Sequence, residues 1–105
     1  MDEKTIEWNL GFAYDEVIAG LEKLLSEGTY AHTRTETAAE AHFQVMLAQG
    51  TFRLKVQPLP SHQSPFNLPV VFQRTLLVMT FNEVSRQDEE TFLHRLTLRF
   101  LRAGG

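Results

Sequence analysis

Two alternating apolar runs, one on each side of a single glycine, constrain this chain more than any other feature. Phe43, Val45 and Leu47 alternate with other residues, Phe52, Leu54 and Val56 do so again, and Gln49-Gly50 lies between them. Successive side chains of a strand point to opposite faces, so each run has one oily face. A two-residue loop at Gln49-Gly50 pairs Ala48 with Thr51, Leu47 with Phe52, Val45 with Leu54 and Phe43 with Val56, apolar against apolar. The other face then carries His42, Gln44, Met46, Arg53, Lys55 and Gln57. A slip of one residue would turn the apolar set into water. A helix over residues 38–49 competes, because Thr37-Ala38-Ala39-Glu40 reads as a capping box. Its apolar residues would fall on two stripes, Ala39, Phe43 and Met46 against Ala41, Val45 and Ala48, which is a poor single face. The strand reading also accounts for the segment that follows and is preferred.

The flanks supply the rest of the layers. Ile6, Trp8 and Leu10 alternate with Glu7 and Asn9, a half-buried first strand that Gly11 ends. Tyr14, Val17, Ile18, Leu21, Leu24 and Leu25 then recur at helical spacing over residues 13–27, with Asp15 and Glu16 in the first turn, where the helix dipole favours acids. Gly28 reads as the C′ residue of this helix, and Gly20 as the mark of a close helix–strand contact. Residues 29–37 place Tyr30, His32, Arg34 and Glu36 on one side and Ala31 with threonines on the other, an edge strand with little to bury. Three prolines make residues 58–65 a stiff, extended connection.

Residues 68–81 are dense in Val, Leu and Phe. Leu76 and Val78 point one way and Leu77, Met79 and Phe81 the other, as in a central strand or one bulged near Gln73-Arg74-Thr75. Ser85 reads as the N-cap of a last helix over residues 86–102, whose stripe is Phe92, Leu93, Leu96 and Phe100. Leu98 and Leu101 fall off that stripe. Either they face a partner subunit, or residues 96–102 form a strand instead. The expected order is β-α-β-β-β-β-α, an α+β domain spanning residues 1–105. Its mostly antiparallel five-stranded sheet has two helices packed on one face. The second face of the sheet must be solvated or paired with another chain.

The 105 residues suffice for one core. No run of 18 apolar residues exists, so no membrane span is expected. The start, Met1-Asp2-Glu3-Lys4, is acidic and leads into a strand, unlike a signal peptide, so a cytoplasmic location is expected. The absence of cysteine excludes disulfides, thiolate metal sites and a cysteine nucleophile. Net charge is −3, unevenly placed: residues 1–40 sum to −6, residues 41–105 to +3, and no acid occurs between Ala41 and Asn82. Such polarity can steer an anionic partner or dock one copy head to tail with another. Strands also avoid Asp and Glu by propensity, which accounts for much of it.

No catalytic constellation emerges. His32, His42, His62 and His94 show no metal-ligand spacing, so no metal or other cofactor is expected. Ser61-His62-Gln63-Ser64 lacks the setting of a nucleophilic serine. Asp15-Glu16 and Asp88-Glu89-Glu90 are helix-start acids, and the glycines form no phosphate loop. Arg53 and Lys55, with Arg34 and Arg74, could make a basic stripe. RNA-binding sheets add exposed aromatics, whereas Phe43 and Phe52 fall on the core face, and the net charge also argues against nucleic acid.

The expected function is therefore a non-enzymatic protein-interaction or assembly module acting as a homodimer, with Arg53, Lys55, Arg74, Leu98 and Leu101 as candidate contact residues. The chain ends Leu98-Arg99-Phe100-Leu101-Arg102-Ala103-Gly104-Gly105. That tail resembles the ends of ubiquitin-like and sulfur-carrier proteins, whose last carboxylate a partner enzyme adenylates. The resemblance implies a carrier that uses Gly104 and Gly105. It covers only the tail, and the β-grasp family opens with a hairpin where this chain places a helix directly after its first strand. Gly104 also reads as a stop for the last helix. A small-ligand binder is a third expectation, with a pocket between helices and sheet and Trp8, Tyr14 and Tyr30 at its mouth.

Overall fold

In the computed structural model of the chain, residues 3–59, 62–63, 71–72 and 74–100 are described. Strand β1 (Glu3–Leu10) leads to helix α1 (Tyr14–Glu27), then to strands β2 (Ala31–Glu36), β3 (Ala41–Met46) and β4 (Thr51–Pro58). Two short strands, β5 (His62–Gln63) and β6 (Val71–Phe72), precede β7 (Thr75–Asn82) and helix α2 (Arg86–Phe100). The main sheet is antiparallel with strand order β1-β7-β4-β3-β2, and both helices pack on one of its faces. The α+β architecture is the expected one, and β2 is indeed an edge. Residues 38–49 are no helix. Thr37 Oγ1 does accept from the Glu40 N–H at 3.2 Å, as in a capping box, but the motif closes the β2–β3 turn.

The core lies between the sheet and the helices. Phe43 and Val45 of β3, Phe52, Leu54 and Val56 of β4, and Leu77, Met79 and Phe81 of β7 supply its floor. Val17, Ile18, Leu21, Leu24 and Leu25 of α1 and Phe92, Leu96 and Phe100 of α2 supply its roof. Phe92 docks α2, its ring centroid 4.5 Å from that of Phe52. Each such side chain contributes about 1.5–3 kcal/mol on burial. Ser85 caps α2 as expected, its Oγ accepting from the Asp88 N–H at 3.2 Å.

Four local expectations are corrected. The β3–β4 loop is residues 47–50, and the pairs are Met46 with Thr51, Val45 with Phe52, Phe43 with Leu54 and Ala41 with Val56. The ladder is thus shifted by two residues from the expected one, which leaves every side chain on its expected face. A type I′ turn at Gln49-Gly50 needs positive φ at both residues, and of the two only Gly50 has it, at +88°. A Cβ on Gly50 would also lie 2.5 Å from the Glu83 carbonyl oxygen, so the end of β7 holds this loop in place.

At the end of α1 the left-handed residue is Thr29 (φ 55°), not Gly28 (φ −82°). The Tyr30 N–H donates to Leu25 O and the Thr29 N–H to Ser26 O, a Schellman ending one residue beyond the expected one. Gly28 is needed for space instead, because a Cβ there would meet the Tyr30 ring at 2.5 Å. Gly20 marks a helix–helix contact rather than a helix–strand one, its nearest neighbour being the Phe100 ring. The long run over residues 68–81 is divided: β6 pairs with β5 apart from the main sheet, and β7 begins at Thr75. Residues 60–61, 64–70 and 73, and Leu101 to Gly105, lie outside the described residues.

Candidate interaction surface

The face of the sheet away from the helices is built in rows across the strands. Glu7 of β1 pairs with Val78 of β7, Val78 with Lys55 of β4, Lys55 with His42 of β3, and His42 with Thr35 of β2. The neighbouring row runs Thr5, Thr80, Arg53, Gln44 and Thr33. Beyond the first row on its other side lie Asn9, Leu76 and Gln57. Leu76, Val78 and Thr80 of β7, Lys55 and Gln57 of β4 and His42 of β3 are half-buried, and the other side chains in these rows are exposed. Met46, which is 53% exposed, adds an apolar side chain near the β2 edge.

Long-range pairing brings opposite charges onto this face. Glu3 and Glu7 belong to the acidic part of the sequence and Arg53 and Lys55 to the basic part, yet β7 alone separates their strands. Acids therefore lie on one side of β7 and bases on the other. Glu40 joins the basic side: its Oε2 is 3.0 Å from His42 Nε2 and 3.7 Å from Lys55 Nζ. That oxygen is buried and makes no aligned hydrogen bond.

The candidate contact residues do not form one patch. Arg53 and Lys55 share the open face. Arg74 precedes β7, four residues from the Lys55 row and so about 13 Å along the strand. Leu98 is on the opposite side of the molecule, 44% exposed, in a groove between the ends of α1 and α2 with Leu24, Glu27, Gly28, Arg95 and Arg99. Leu101, Gly104 and Gly105 lie outside the described residues. Arg34 projects to the helix side, where it pairs with Glu22 of α1 and, at 2.5 Å, with Glu36. These two carboxylates hold its guanidinium pKa above the usual value. The residues that the sequence reading missed are Glu3, Glu7, Leu76 and Val78. Their alternation was legible, but not that β1 pairs with β7.

Neither of two surface grooves, of about 320 Å³ and 520 Å³, is lined by Trp8, Tyr14 or Tyr30. Trp8 and Tyr14 pack partly buried against the core, and Tyr30 sets its ring edge-on to Phe52 and Phe92 beneath Arg95. Partial burial, then the nearby Glu36 carboxylate, pushes the Tyr14 phenol above its ordinary value. Among the described residues no three His, Asp or Glu side chains are grouped to hold a metal, and no helix is long and apolar enough to cross a membrane. The sequence matches no protein-family model, and comparison with curated proteins finds no match.

Proposed function

We propose that this chain is a non-enzymatic interaction module that self-associates as a homodimer through the open face of its sheet. The observation that carries the reading is β7. It is an interior strand with apolar residues on both faces, and Leu76 and Val78 lie on the face that neither helix covers. A strand covered on one face reads as clean alternation, whereas apolar residues on both faces suit burial on both. Polyanion binding is a poorer reading, because Glu3, Glu7 and Glu40 share the face with Arg53 and Lys55 and the described residues place no Phe, Tyr or Trp ring there. A cytoplasmic setting belongs to the same proposal, and cell fractionation checks it.

Light scattering across a concentration series tests the reading. A dimer population that grows up to high micromolar protein is expected, and replacing Leu76 and Val78 with threonine should remove it. A strict monomer at the top of that range would end the reading. Deleting Gly104 and Gly105 should leave self-association unchanged; loss of all cellular function on that deletion would favour a carrier.

A further inference from the structure

We infer that the second copy docks face to face about a two-fold axis running along β7, with Glu7 of each copy on Lys55 of the other. This inference rests on the homodimer reading above and specifies its geometry. Glu7, Val78 and Lys55 stand in one row, with Val78 in the middle and the two charged residues each one strand away, about 5 Å to either side. A two-fold axis along β7 reverses left and right but keeps every row at its own height. Val78 then meets Val78 of the second copy, and Leu76 meets Leu76. Lys55 meets Glu7 of the second copy, and Glu7 meets its Lys55.

The next row strengthens the match. Arg53 comes to lie over Thr5 of the second copy, between Glu3 and Glu7, which flank Thr5 on the same face of β1. Both bases of β4 thus face both acids of β1, twice over by symmetry. The other face-to-face arrangement, with the axis across the strands, sets β1 on β1 and β4 on β4. It would press acids on acids and bases on bases, and like charges juxtaposed at an interface are disfavoured. Charge therefore selects one of the two symmetric dockings. Glu40 lies beside Lys55 within each copy, so Lys55 would bridge its own Glu40 and Glu7 of the second copy.

The overlap comprises β1, β7 and β4, each of eight residues, a patch about 27 Å long and about 14 Å across. That is small for a specific interface, so a weak, transient association is expected.

Charge reversal tests the geometry. Sedimentation equilibrium of E7K alone and of K55E alone should show association weakened about tenfold or more. An equimolar mixture of the two should associate more tightly than either variant alone, because each heterodimer restores two opposite-charge contacts. It should stay short of the unaltered protein, because Arg53 then faces the lysine of E7K and the carboxylate of K55E lies beside Glu40. The E7K/K55E double variant should do the same, and its recovery separates charge pairing from damage to the fold. If the unaltered protein dimerises but the single variants match it, or the mixture and the double variant both stay dissociated, the docking geometry is wrong and the homodimer reading survives. A strict monomer for the unaltered protein would overturn both.

Discussion

Leu76 and Leu77 are neighbours in β7, yet Leu77 is wholly buried beneath the helices while Leu76 is half-buried on the open face. The same contrast holds for Val78 against Met79 and for Thr80 against Phe81. Each strand thus feeds two surfaces with different physics. The covered face is close-packed, and stability there depends on volume and contact. The open face carries threonines, charges and a narrow apolar line, and little of the monomer's stability is expected to depend on it. A protein can change an open face freely for recognition while its covered face stays under packing constraint.

The sharpest way to break this comparison is to damage each face and measure both stability and association. Phe92→Ala removes the ring that docks α2 on Phe52 and should cost about 3–5 kcal/mol, read as a lower denaturant midpoint. Gly50→Ala acts through the backbone, forcing a side chain into positive φ against the Glu83 carbonyl, and should cost about 1–3 kcal/mol. Thr29→Gly relieves a β-branched residue of left-handed backbone and should raise stability by roughly 1 kcal/mol in the same assay. On the open face, Glu7→Lys should move monomer stability by no more than about 0.5 kcal/mol while changing self-association. A large stability loss there would show that the two faces are not energetically separate.

Much of the architecture was legible because local periodicity carries it. The stripe Val17, Ile18, Leu21, Leu24 and Leu25 defines α1 and its buried side, and all five residues are buried. Leu98 was legible as a residue off the α2 stripe, and it is exposed. The hairpin register was legible only in part. Alternation repeats every two residues, so it specifies which face a side chain takes but tolerates a shift by two. Gly28 and Gly20 illustrate the same limit. A glycine in a sequence announces a need for freedom or space, not which of these, nor which neighbour requires it.

By itself the sequence determined the elements, the oily side of each, and the expectation that one sheet face would be left without helices. These follow from side-chain spacing along a single strand or helix, a short-range property. Only the tertiary structure decided that β1 lies beside β7, that Gly50 rests on Glu83, and that Glu7 and Lys55 flank Val78. Those neighbours are some 20 to 70 residues apart in the chain. Their meeting depends on which strands close the sheet over a common core, and alternation within any one strand has no term for that.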